Sequence, residues 1–170
     1  MRSDGFVFRV DSSKKIGSGH LMRCLTLASG LQEKGATCTF ICRDLIGNLN
    51  RLVVSAGFSL VELPRPNVEF VTPAKGEPSH GDWREVDWKI DALETSRALS
   101  GLKANWLIID HYGLWHDWQL IVSDHVGKIM VIDDLGDRKH YCDLLLDQNF
   151  GSDLLLYRDL VPERSRNFFG

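Results

Sequence analysis

The feature that most constrains this chain is a repeated change of hydrophobic period. Short runs rich in β-branched and aromatic residues alternate with longer segments whose apolar residues recur every three or four positions. "GFVFRV" reads as a strand, and "HLMRCLTLASGLQEKG" then places Leu21, Leu25, Ala28 and Leu31 at helical spacing before Gly35. "ATCTFIC", "LIGNLNRLVVSAG" and "FSLVELP" repeat the order strand, helix, strand, with Pro64 closing the last. Such alternation demands crossover connections, and hence a parallel sheet with both faces covered by helices.

The stretch from Pro64 to Gly81 holds all but one of the five prolines and shows neither period, so an irregular, mobile loop is expected over about 64–81. "DWREVDWKIDALETSRALSGL" returns to helical spacing, with Asp82 or Asp87 as its cap. "ANWLIID" reads as a buried strand, "WHDWQLIVSDHV" as a helix, "KIMVIDD" as a strand and "CDLLLDQN" as a last short strand. The expected fold is α/β: a Rossmann-like parallel sheet of about five or six strands, forming one domain over residues 1–170.

Composition narrows the partners. A chain of 170 residues that is 44% hydrophobic buries a core without disulfides or metal. Its four cysteines are too few and too unevenly spaced for a secreted scaffold, and Cys38 and Cys42, on one face of a strand but roughly 13 Å apart, make a poor zinc pair. The net charge of −3 and the scattered Lys and Arg offer no nucleic-acid footprint. No leader-like start and no bilayer-length apolar span is visible, so a cytoplasmic location is expected, with no membrane partner.

In a sheet of this kind a ligand sits beyond the carboxyl ends of the strands, near the switch in strand order. Three segments should meet there: Asp11 to His20 after the first strand, Asp110 to Tyr112 at the fourth, and Asp133 with Asp134 at the fifth. "DSSKKIGSGHLMRC" matches a dinucleotide fingerprint poorly, because Met22 stands where a third glycine is needed. Its glycines permit a tight turn, and the amides of the helix start favour an anion. A positive helix end favours a neutral imidazole at His20, able to accept a proton. Local chemistry leaves open whether His20 is a general base or only completes the turn. Arg23 reads as a helix-surface or salt-bridged residue more than as a phosphate clamp, and Asp11 reads most simply as a buried acceptor for loop amides. His111 reads as structural, and Asp133 and Asp134 as strand-end acceptors more than an acid–base pair. His80, His116, His125 and His140 show no metal-ligand spacing. Trp83, Trp88, Trp115 and Trp118 read as core or rim packing, with Trp115 close enough to the fourth-strand motif to touch a ligand.

"RVDSSKKIGSGHLMRCLTLA", "WLIIDHYGL" and "IMVIDDLGDRKHYCDLLLDQN" together resemble the UDP-sugar hydrolases of pseudaminic acid biosynthesis, which act on UDP-2,4-diacetamido-2,4,6-trideoxy-β-L-altropyranose. The resemblance runs over nearly the whole chain. Ile16, Gly17, Gly19, His20 and Arg23 match the family's I-G-x-G-H-x-x-R, a loop it shares with the peptidoglycan N-acetylglucosaminyltransferase. It implies a bacterial enzyme that releases UDP by water attack at the anomeric carbon, with inversion; because a diphosphate is a good leaving group whose charge helix-terminal amides can stabilise, no metal or other cofactor is expected. The free sugar would feed the glycosylation of flagellin or surface polysaccharide. His20 and Tyr112 are the catalytic residues on this reading, with Asp11, Gly17, Ser18, Gly19, Arg23 and Asp110 binding substrate. The family has two Rossmann-like domains in the GT-B arrangement. This chain is expected to be the amino-terminal half, lacking the carboxyl-terminal nucleotide-binding domain and needing it for turnover. A glycosyltransferase, and a non-catalytic domain that binds sugar or a partner, are the competing expectations.

Overall fold

The computed structural model describes residues 4–67, 75–152 and 154–170. Its strands are β1 (Gly5–Val10), β2 (Thr37–Arg43), β3 (Ser59–Leu63), β4 (Trp106–Asp110), β5 (Lys128–Ile132), β6 (Leu144–Asp147) and β7 (Arg166–Phe169). The helices are α1 (Gly19–Glu33), α2 (Asn50–Ser55), α3 (Trp88–Ser100), α4 (His116–Val122) and α5 (Leu154–Tyr157), with one-turn 3₁₀ segments at Gly81–Arg84 and Ser123–His125. All seven strands form one parallel sheet in the order β3-β2-β1-β4-β5-β6-β7, an α/β Rossmann-like arrangement.

Strand alternation divides the core in two. Phe8, Phe40, Cys42, Ile108 and Ile132 face α1 and α2, where Leu21, Cys24, Leu25, Ala28 and Val53 pack on them. Their neighbours Val7, Ile41, Leu107, Ile109 and Val131 face α3 and α4, meeting Ala92, Leu99, Trp118 and Val122. Phe8 stacks on Phe40 with ring centroids 4.7 Å apart, joining β1 to β2 on the first face. A sheet covered on both sides explains the near-continuous apolar strands.

The structure departs from the sequence pattern in three places. The sheet has seven strands, not five or six, because "RNFF" adds β7 at the edge beside β6. α2 begins only at Asn50, since Asn48 folds back to hydrogen-bond Asp44 and the Leu45 carbonyl and Gly47 takes φ +76°. "DWREV" is not the first turn of α3: Gly81–Arg84 is a separate turn, and Asp87 caps α3 by accepting from the amides of Lys89 and Ile90. Of the loop expected over 64–81, residues 68–74 lie outside the described residues, and 64–67 and 75–80 carry neither helix nor strand.

The strand order reverses between β1 and β4. Successive strands run outward from β1 to β3 on one side, then from β4 on the other, so the carboxyl ends of β1 and β4 flank the switch point.

Candidate functional site

Four side chains from three elements converge at that switch point. The β1–α1 connection is tight: the Ser13 hydroxyl accepts from the amides of Lys15 and Ile16, and its carbonyl accepts from Gly17, which turns at φ +81°. This delivers exposed Gly17, Ser18 and Gly19 to the first turn of α1 and sets His20 on its inner side, 8% exposed. A Cβ on Gly19 would meet open space, and Ser18 makes no side-chain capping bond, so the helix start faces the rim uncapped.

His20 Nδ1 lies 2.5 Å from Asp110 Oδ1, at the end of β4. Arg23, one turn along α1, holds the same carboxylate with two donors: Nη2 reaches Oδ1 at 2.6 Å and Nε reaches Oδ2. Burial would push the Asp110 carboxyl up, but the hydrogen bonds from Arg23 and His20 outweigh it and hold the group below the usual carboxylate range. An ionised Asp110 fixes the imidazole as the Nδ1–H tautomer, because a carboxylate only accepts. Arg23 Nη2, 3.1 Å from the same nitrogen, cannot donate to an N–H and is engaged by the carboxylate instead. Nε2 is left with the lone pair, and it receives no hydrogen bond from a described residue.

Tyr112 stands two residues past Asp110, on the same side. Its ring meets the His20 ring edge-on, with centroids 4.6 Å apart and planes at 85°. The phenol donates to Asp134 Oδ1, and Asp134 Oδ2 accepts from Arg23 Nη1 at 3.4 Å, which closes a ring of contacts around the rim. Burial and then Asp134 push the phenol well above its ordinary value, so it stays protonated as a donor. Arg138, paired with Asp133 and Asp137, lies over the Tyr112 ring with its guanidinium carbon 5.3 Å from the ring centre.

Several sequence candidates fall elsewhere. Asp11 is fully buried behind the site, accepting from Arg9 at 2.6 Å and from the Arg43 amide at 2.7 Å, so it supports the loop from below and presents no exposed oxygen. His111 is buried beneath Trp83, its ring 6.4 Å from the indole; Nδ1 accepts from the Gly113 amide, and burial pulls the imidazole down to about 3. Asp133 is buried against Arg138 and the Gly136 amide. Trp115 packs beneath the Arg84 guanidinium rather than at the rim. Among the described residues, no group of three or more His, Cys, Asp and Glu side chains could hold a metal ion. Nor is any helix among them long and apolar enough to cross a membrane.

Two aromatic residues outside the three sequence segments join the site. Trp83, in the Gly81–Arg84 turn, lies 5.9 Å from the His20 ring and 5.2 Å from the Tyr112 ring, centroid to centroid. His80 lies 4.8 Å from Trp83 and 5.3 Å from Tyr112. No local pattern announces them, because a long intervening segment brings them back. A cleft of about 300 Å³, lined by Lys128, Tyr141, Asp143 and Arg164 among others, opens at the amino-terminal end of β5, remote from this chemistry.

No protein-family model matches the chain. It is 30% identical over 157 residues to the UDP-2,4-diacetamido-2,4,6-trideoxy-beta-L-altropyranose hydrolase of Campylobacter jejuni. The match takes in 92% of this chain and 46% of the Campylobacter protein, so the chain spans about half the length of that curated relative. The relation is a distant one.

Proposed function

We propose that the chain forms the base-bearing half of a nucleotide-sugar hydrolase, which releases UDP from a UDP-linked 2,4-diacetamido-2,4,6-trideoxy sugar by attack of water at the anomeric carbon. The observation that carries this reading is the 2.5 Å contact of His20 Nδ1 with Asp110, which leaves Nε2 as a lone-pair nitrogen at the sheet's switch point. The likeness to the Campylobacter hydrolase supports the substrate class.

In this mechanism Nε2 takes a proton from water as the water oxygen bonds to the anomeric carbon. The bond from that carbon to the diphosphate oxygen breaks on the opposite face, and UDP leaves with the electron pair. Attack and departure on opposite faces invert the centre. The diphosphate is a good leaving group, and the uncapped amides of α1, reached past Gly17, Ser18 and Gly19, are suited to its charge. Asp110 holds the ring and stabilises the imidazolium that forms, Arg23 orients Asp110, and Tyr112 packs the ring in place. A second domain, as in the two-domain GT-B arrangement, would complete the cleft and bind the uridine.

The test is release of UDP from that UDP-sugar with no acceptor present, by the 170-residue chain beside a full-length two-domain form. Release by the long form is expected, and little by the short one. Release that requires an added sugar acceptor would replace hydrolysis with transfer, and no release in either condition would leave sugar or partner binding. In the active form His20→Ala should lower kcat by ~10² to 10⁴ with folding unchanged, and near-normal turnover would remove His20 from the mechanism.

A further inference from the structure

We propose that Trp83 is a specificity-determining residue: its indole is the wall on which the apolar face of the sugar ring stacks while the anomeric carbon faces His20. The inference rests on the nucleotide-sugar reading above. Trp83 is the tryptophan whose ring lies beside His20 and Tyr112. Trp118 is fully buried with its Nε1–H on Asp91, and Trp115 is buried under Arg84; Trp88 and Trp106 are half-buried, but Trp88 packs on Trp115 and Trp106 lies under Lys128, and neither ring has a described contact with His20 or Tyr112. Trp83 is only half-buried, and its Nε1–H donates to no described residue. An amphipathic ring left partly in water, with a free donor, next to a candidate base suits a ligand with an apolar face and an acceptor such as an acetamido carbonyl.

The turn carrying Trp83 is held rigidly. Arg84, the next residue, is fully buried and donates to the Gly113 carbonyl at 2.7 Å and to Glu77 at 2.5 Å. Asp82, the residue before, pairs with Lys15 of the β1–α1 loop. Gly113 completes the fit, since a Cβ there would lie 2.8 Å from the His80 carbonyl that accepts the Trp83 amide. The chain thus anchors both flanks of Trp83 and leaves its ring at the rim. The uracil cannot be what stacks there. Two phosphates and a ribose separate it from the anomeric carbon, and the indole lies 5.9 Å from the His20 ring.

The test reads the indole N–H signals of the five tryptophans by ¹H–¹⁵N NMR, with Trp83 assigned as the one lost in Trp83→Phe. Free 2,4-diacetamido-2,4,6-trideoxyhexose, added with and without UDP, should move the Trp83 signal, whereas UDP alone should not. In parallel, Trp83→Ala in the active form should raise KM about 3- to 10-fold with kcat within about 3-fold, and Trp83→Phe, which keeps a stacking face and loses the indole N–H, should raise it less than Trp83→Ala does. Equal melting temperatures for the variants establish that the fold is kept. A Trp83 signal unmoved by the sugar, or moved by UDP alone, overturns the proposal. So does a normal KM in Trp83→Ala. If the wild-type protein releases no UDP, the hydrolase reading fails on its own, and the NMR titration alone decides the role of Trp83.

Discussion

Asp110 carries the chemistry of the rim although it touches no ligand in the proposed mechanism. Its carboxylate accepts from His20 on one oxygen and from Arg23 on both, and these three bonds set which imidazole nitrogen keeps a lone pair. An amide of the same shape reverses that logic. In Asp110→Asn the amide oxygen would still accept from Arg23 Nε, while the NH₂ in place of Oδ1 would lose the Arg23 Nη2 bond, face His20 and favour the Nε2–H tautomer, which cannot take a proton from water. Turnover should fall by ~10² to 10⁴, about as far as in His20→Ala, and the double variant should be no worse than either single one. The ¹⁵N shifts of the His20 ring should show the proton moved from Nδ1 to Nε2. Multiplicative losses in the double variant, with an unchanged tautomer, would mean that Asp110 acts only on the fold.

At the scale of elements, the segment from residue 75 to Val86 is the one the site depends on most and the sequence disclosed least. Its anchor, Arg84, is buried with donors on Gly113, Glu77 and the Val86 carbonyl, and lies over Trp115. Arg84→Ala would leave the Glu77 carboxylate and the Gly113 carbonyl without this partner, at a cost of about 3 kcal/mol. A drop in melting temperature of roughly 6 to 12 °C is expected, with new protease cleavage confined to this segment. An unshifted melt would show that the turn is held by other contacts. The sheet and α1 were legible because their period is strong. That His20, Arg23, Asp110 and Tyr112 meet was legible because they sit near strand ends and in the first turns of a helix, whereas the roles given to His20 and Tyr112 came from the resemblance. Trp83, His80 and the pairing of Asp134 with Tyr112 were not, because they follow from where Arg84 docks a non-periodic segment. β7 escaped notice for a related reason: four residues at an edge, half-exposed, carry too little alternation to read.

Across the whole molecule, the site rests on a buried ionic cluster that ties α3 to the central strands. Asp91 of α3 accepts from Arg9 of β1 and Arg43 of β2, each at 2.8 Å, and from Trp118 Nε1 at 2.9 Å, while Arg9 also holds Asp11. Burial opposes the charge on Asp91, but the two guanidiniums prevail and keep its carboxyl far below the usual range. A depressed carboxyl contributes stability above its unfolded value, near 3.9, and that stability is lost only as pH falls below it. His111 acts sooner and with the same sign. Its Nε2 faces Asp11 at 3.4 Å inside the cluster, and burial lowers it to about 3, whereas the unfolded chain takes up that proton near pH 6.5. Between those values the unfolded state binds more protons, so stability declines as pH falls, by up to about 1.4 kcal/mol per unit. His140, also lowered by burial, adds in the same direction. Urea unfolding should therefore show a loss of about 2 to 3 kcal/mol from His111 alone between pH 6.5 and pH 4.5. His111→Asn, whose side-chain oxygen can still accept from the Gly113 amide, should be less stable at pH 7 and yet lose less on acidification. If its stability falls with pH as steeply as that of the wild type, the proton taken up on unfolding in this window is not that of His111.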